Sequence, residues 1–257
     1  MSGIDEIYPD FAAALATCGA GYDDRVLADV IAHKTTAVID ELARNAFAPE
    51  QALNTLIAVS MTANLVAGRP LRVLDFGGGC GFHYHFAKRM LGLPLRWAVV
   101  ETHTMADRAA SFPDGRLDFH TDIASASAAL GGIDLVHVSG ALQYVPRPED
   151  VLQQLAALGA PLVLLARFPL WQGRRLVAVQ VSQLSDNGLG PMPPGVPNRT
   201  VRYPITFLNI HDVVQALAPN YEIALALSSP SGSYVVKHEP VAGVSYVLKS
   251  AAAQPRE

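Results

Sequence analysis

The chain has 257 residues, half of them hydrophobic and only 16% charged, enough for one large core or for a domain with an accessory piece. Its net charge of −4 offers no basic field for nucleic acid, and two cysteines, Cys18 and Cys80, build no disulfide framework. The opening MSGIDEIYPD lacks the basic and apolar regions of a signal peptide, and the longest apolar run, around 155–166, is broken by Gly159 and Pro161. No membrane partner and a cytoplasmic location are therefore expected. The low charge also suits a face shared with a second copy of the chain, as in a homodimer.

The first seventy residues read as helical. Val26, Leu27, Val30, Ile31, Val38 and Leu42 recur near helical spacing, and a second helical stretch starts near Pro49 and stops by Gly68. From residue 71 short apolar runs alternate with helical patterns: LRVLDF (71–76), LRWAVVE (95–101), LDFH (117–120), IDLVHVS (133–139) and PLVLLA (161–166). Alternating strands and helices predict an α/β fold, a mostly parallel sheet with helices on both faces. The strands are continuously rather than alternately apolar, which fits burial on both sides.

Residues 167–208 break that rhythm and read as an insert. RLVAVQVSQL carries an extra strand, and DNGLGPMPPGVP (186–197) is a loop of the kind that often serves as a lid. A helix returns at 209–219 with Asn209 as its N-cap, and YEIALALSS and GVSYVLKS read as two closing strands. The expected division is a helical cap over 1–69, a ligand-binding domain over 70–250 with the 167–208 insert, and a disordered tail over 251–257.

The sharpest motif is VLDFGGGCGFHYH (73–85), a glycine-rich corner after the first buried strand. A dinucleotide site wants G-x-G-x-x-G, but the third glycine falls on Phe82 or Tyr84, depending on the register. That counts against a nicotinamide-dependent oxidoreductase, and no Gly-Lys-Ser/Thr follows to make a P-loop. The spacing present is D-x-G-x-G-x-G: Asp75, Gly77, Gly79, Gly81.

This spacing resembles motif I of the class I S-adenosylmethionine (SAM)-dependent methyltransferases. Glu101, twenty residues after Gly81, stands where that family grips the ribose hydroxyls. Asp122 and Ile123 stand near its adenine position, and Asp134 to Ser139 match its fourth strand. The resemblance covers roughly 71–166, and the triple glycine followed by aromatic and histidine residues looks like a group of methyltransferases of unassigned substrate. It implies a Rossmann-like, doubly wound, seven-stranded sheet with an N-terminal helical extension. It also implies SAM as cofactor, S-adenosylhomocysteine (SAH) as product, and a cofactor set of Asp75, Gly77, Gly78, Gly79, Gly81, Glu101, Thr102, Asp122, Ile123, Ser139 and the covering Tyr22. The chemistry agrees: SAM has no phosphate, its carboxylate suits a helix N-terminus, and a side-chain carboxylate suits the ribose diol.

The implied activity is methyl transfer to an oxygen or nitrogen of a small-molecule acceptor. The rival is a chain that binds SAM without catalysis, or an inactive partner in a hetero-oligomer. Gln143, Tyr144, Phe168 and Trp171 are candidates for the acceptor pocket, and His211, His238 and Tyr144 for a general base. Arg174 and Arg175 are candidates for holding an acidic acceptor. His83 and His85, two apart, do not share a helical face, so no metal is expected. Cys80 has no base placed for it and reads as packing.

Overall fold

In the order of the chain, two short strands, β1 (Ser2–Ile4) and β2 (Ile7–Tyr8), come first, in place of the helix expected there. Helices α1 (Phe11–Leu15), α2 (Arg25–Arg44) and α3 (Glu50–Ala63) follow, with a 3₁₀ turn at Gly21–Asp23. The α/β part comprises β3 (Leu71–Phe76), α4 (Phe82–Leu91), β4 (Leu95–Val100), α5 (His103–Ala109), β5 (Leu117–His120), α6 (Ile123–Leu130), β6 (Leu135–Ser139), α7 (Pro148–Ala157) and β7 (Leu162–Trp171). After it come β8 (Leu176–Gln183), β9 (Thr200–Asn209), α8 (Ile210–Leu217), β10 (Tyr221–Ser228), β11 (Tyr234–Val236), β12 (Glu239–Val241) and β13 (Gly243–Ser250). The computed structural model describes residues 2–4, 6–45, 49–66, 68–112, 114–218, 220–228 and 233–251, so the expected tail beyond Ala251 lies outside the described residues.

Local chemistry sets many of these bounds. Asp24 caps α2 by accepting the Val26 and Leu27 N–H groups, and Asn209 caps α8 through the His211 N–H. Pro148 stands in the first turn of α7, and α4 ends at Gly92 in the left-handed conformation. The helix after Pro49 ends at Ala63, short of Gly68.

Seven strands pair in the order β5-β4-β3-β6-β7-β13-β10, parallel except for β13, which runs antiparallel to both its neighbours. Successive side chains on a strand point to opposite faces, so Val73 and Leu74 enter different cores. One core lies under α6, α7 and α8, with Leu130, Leu155 and Leu217 against Leu74 and Val136. The other lies under α3 and α4, with Val59 and Tyr84 against Val73, Val99 and Leu164. The central strands β3, β4, β6 and β7 are buried along most of both faces, which explains their nearly continuous apolar sequences.

Two features go beyond the seven-stranded expectation. The far end of β7 pairs with β9 (Leu170 with Leu208, Trp171 with Asn209), and β9, β8 and β2 extend the sheet to ten strands. A separate three-stranded sheet, β1-β11-β12, joins the N-terminus to the segment before β13. At the base of β3 and β6, Asp134 accepts both Nη atoms of Arg69 at 2.7 Å, and Arg72 through its main-chain N–H and guanidinium. Burial alone would raise this carboxyl, but the hydrogen bonds from Arg69 and Arg72 outweigh it and hold the group well below the usual carboxylate range.

Candidate functional site

β3 is flanked by β4 on one side and β6 on the other, so the chain reverses its winding direction there. The crevice beyond the strands' carboxyl ends at such a point is where open α/β sheets take ligands. A cavity of about 370 Å³ opens at that place, within the range of small-molecule sites.

One part of its lining is main chain. The loop Gly77–Cys80 follows β3, and the Gly77 N–H donates to the Val100 carbonyl at 2.8 Å, tying the loop to the end of β4. Gly77 has φ +71°, and a Cβ there would stand 2.2 Å from the Ala141 Cβ. Gly79 has φ +59°, and a Cβ there would meet only the Ile31 side chain, at 3.7 Å. Above Gly79 the space is therefore cavity. Glu101 closes this part: Oε1 accepts the Gly79 N–H and Oε2 the Thr102 N–H, each at 2.9 Å. Burial raises its pKa, and the two main-chain hydrogen bonds pull the other way. Met105, Ser139 and Gly140 continue the wall.

The other part is built from side chains brought from distant segments. Tyr22 stacks on Tyr203 with ring centroids 4.0 Å apart and lies 4.8 Å from Tyr144. The Tyr144 hydroxyl donates to Gln180 Oε1 at 2.6 Å, and the Tyr234 hydroxyl donates to the same oxygen at 3.3 Å. Gln143 is 2% exposed, and its Oε1 has no hydrogen-bond partner among the described residues, an acceptor waiting for a donor. Arg167 adds a guanidinium that donates to Ser139 Oγ and to the Ser139 carbonyl, with no carboxylate partner among the described residues. Its φ of +53° falls where two residues of β7 face Ser245 of β13, a bulge at the strand's bend. Asp186, Asn187, Gly188 and Leu189 from the insert line the cavity as well. The buried Lys34 of α2 ties that segment down through the Ser185 and Gly188 carbonyls.

The sequence candidates divide accordingly. Gly77, Gly78, Gly79, Glu101, Ser139, Tyr22, Gln143 and Tyr144 all line the cavity. Gly81 stands just behind them as the N-cap of α4, and Thr102 caps α5 while supporting Glu101. Asp75 lies beneath the loop, 1% exposed, its carboxylate taken up by Trp97 Nε1 and His137 Nδ1, so it does not reach the cavity. Asp122 caps α6 by accepting the Ser125 N–H and lines a separate surface hollow, and Ile123 packs on the core under α6. Phe168 is buried in that same core, and Trp171 packs beside Phe207 and Tyr234, neither lining the cavity. His211 on α8 and His238 in the turn between β11 and β12 are exposed and outside the lining. Arg175 pairs with Glu149, away from the lining. Burial pushes the Cys80 thiol up to about 12, which makes it inert packing against Met105.

The sequence reading passed over Arg167, Gln180 and Tyr234, and weighed His83 only as a metal ligand. His83 had a signal, following the last glycine of the loop by two residues, and Arg167 had another, a cation directly after the apolar run 161–166.

No protein-family model matches the chain, and a search of the curated proteins finds no match. Solved structures do match. The N-terminal domain of EvdMO1 with SAH bound aligns at a TM-score of 0.50 and 14% identity, over 79% of this chain and 82% of that one. The same domain in the presence of SAH and D-fucose gives 0.50 and 14% over 80% and 85%. CalS10, an amino pentose methyltransferase from Micromonospora echinaspora solved with SAM, gives 0.49 and 13% over 80% and 92%. The chain shares the Rossmann-like α/β fold of the SAH-bound EvdMO1 domain. In that fold the loop at Gly77–Gly81 follows the central strand, and Glu101 ends the neighbouring one.

Proposed function

We propose that this chain transfers a methyl group from SAM to an oxygen or nitrogen of a small molecule. The observation that carries the reading is the single cavity that has the bare Gly79 and the Glu101 carboxylate in one part and a polar, aromatic chamber in the other. The residues fit the cofactor. Glu101 keeps acceptor capacity beyond its two main-chain bonds, as a ribose diol requires. Above Gly79 there is room for the nucleoside to lie against main chain. When bound, SAM supplies a methyl carbon on a positively charged sulfur that leaves readily with the bond's electron pair. The protein's work is then to align the acceptor, exclude water and dispose of a proton.

The chamber suits positioning. Burial raises the phenol pKa values of Tyr22, Tyr144 and Tyr234, so these hydroxyls keep their protons and act as hydrogen-bonding groups. This counts against Tyr144 as the base. Gln143, Gln180 and Asn187 add fixed amides, and Arg167 a fixed positive charge. A cavity of about 370 Å³ favours a small molecule. Among the described residues no helix is long and apolar enough to cross a membrane.

Calorimetry with SAM and SAH tests the cofactor: the expected result is sub-millimolar binding of both, and absence of binding defeats the reading. Labelled SAM offered with a panel of hydroxyl and amine acceptors tests transfer. Tight SAH binding without labelled product across the panel would favour the non-catalytic reading.

A further inference from the structure

We propose that His83, Thr55, His137 and Asp75 form a proton relay that draws a proton from the methyl acceptor into the sheet, with His83 Nε2 as the receiving atom. The inference rests on the methyl-transfer reading and supplies the base that the chamber lacks. His83 stands in the first turn of α4 and lines the cavity. Its Nδ1 lies 2.8 Å from Thr55 Oγ1 on α3. The same oxygen lies 3.0 Å from His137 Nε2 on β6, and His137 Nδ1 lies 2.7 Å from Asp75 Oδ1 on β3. All four are buried, His83 the least so at 8% exposed. Burying four polar groups in a line is costly unless each is satisfied, and here each satisfies the next.

The direction of the bonds follows from counting protons. The Asp75 carboxyl is held below its ordinary value: burial opposes ionisation, and the hydrogen bonds donated by His137 Nδ1 and Trp97 Nε1 favour the carboxylate. An ionised carboxylate only accepts, so His137 donates from Nδ1. A neutral ring protonated there has a bare Nε2, which must take the single Thr55 hydroxyl proton. Thr36 and Thr62 spend theirs on a carbonyl one turn back, whereas among the described residues Thr55 Oγ1 bonds only these two rings. Thr55 Oγ1 must then accept from His83 Nδ1–H, which leaves His83 Nε2 bare. Among the described residues that atom has no hydrogen-bond partner, yet it is not sealed off, so it opens on the cavity.

A proton taken at His83 Nε2 lets the Nδ1 proton pass to Thr55 and the Thr55 proton pass to His137 Nε2. His83 and Thr55 end neutral, and the positive charge rests on His137 against Asp75. Burial, His137 and Arg167 hold His83 down to about 3 against the pull of Asp75, so the proton does not stop at the cavity wall. Arg167, the other charge acting on this ring, drives the positive charge away from the chamber and toward Asp75. Such a device suits a hydroxyl acceptor, whose proton must leave as the new bond forms.

The test is nitrogen-15 NMR of histidine-labelled, full-length protein with SAH added. At neutral pH both rings should show a proton on Nδ1 and a bare Nε2. On acidification the His83 and His137 signals should move together through one midpoint, taking up one proton between them. Thr55→Val should split the two titrations, and Thr55→Ser should keep them joined. With any acceptor that turns over in the panel, Thr55→Val should lower kcat about 100-fold while KM and SAH affinity stay within about 2-fold, and Thr55→Ser should recover the rate. A His83 tautomer protonated on Nε2, titrations still joined in Thr55→Val, or an unchanged kcat would overturn the relay. Failure of SAH to bind would instead strike the methyl-transfer reading, and the ring signals would still report on the hydrogen-bonded chain.

Discussion

The cavity has two unlike walls. One comes from consecutive strand ends: a glycine loop after β3 and a carboxylate after β4, held to each other by main-chain hydrogen bonds. The other assembles Tyr22, Tyr144, Gln180 and Tyr234 from four segments far apart in the chain, with Tyr203 stacked behind Tyr22. The first wall recognises by backbone shape, which tolerates almost no side-chain change. The second recognises by side chains on a sheet extension, where single changes are cheap and specificity is free to vary.

The largest test of that contrast is at the base of the first wall. Asp134→Ala leaves Arg69 and Arg72 without their shared carboxylate, and should cost about 3–5 kcal/mol by denaturant unfolding. The pH sign follows. The folded carboxyl lies below its ordinary value, so its stabilisation is complete above the unfolded value and drains away as pH falls through the folded one. The variant should therefore lose less stability on acidification than the parent. Next is Gly77→Ala, which combines a left-handed conformation with a 2.2 Å approach to Ala141. It should cost about 2–4 kcal/mol and abolish SAH heat in calorimetry. Glu101→Ala should weaken SAH by about 2 kcal/mol, roughly 30-fold, with the fold retained by circular dichroism. Smallest is Tyr144→Phe, a chamber change, with less than about 1 kcal/mol of stability lost and SAH affinity within about 2-fold. Weakening of SAH as severe as that of Glu101→Ala would erase the distinction between the walls.

Strands β3, β4 and β6 were legible almost to the residue, because a strand buried on both faces must be nearly continuously apolar and ends where its apolar run ends. β9 was not. Pro204 breaks the run TVRYPITFLN, yet it fits because β7 reaches β9 only at Leu208 and Asn209, leaving that edge open at Pro204. β1 was missed because its pairing with Tyr234–Val236 spans nearly the whole chain, and no local pattern encodes it. In the site, Glu101 was legible from its interval after the glycines. Asp122 and Asp75 stand at the expected intervals too, but the folded chain spends their carboxylates on a helix cap and on the buried His137 and Trp97. Tyr22 and Tyr144 were singled out in the sequence, but Arg167, Gln180 and Tyr234 were not, since they reach the cavity from β7, β8 and β11, whose pairing no local pattern encodes.

β7 belongs to both parts of the sheet behind the cavity: its first half pairs with β6 and β13, and its end with β9. The two halves of the pocket are thus joined through one continuous backbone with no linker between them. A closure over the cavity would find no hinge along that seam, and would have to move the segments that reach the cavity from elsewhere, the 3₁₀ turn carrying Tyr22 and the strap fastened by Lys34.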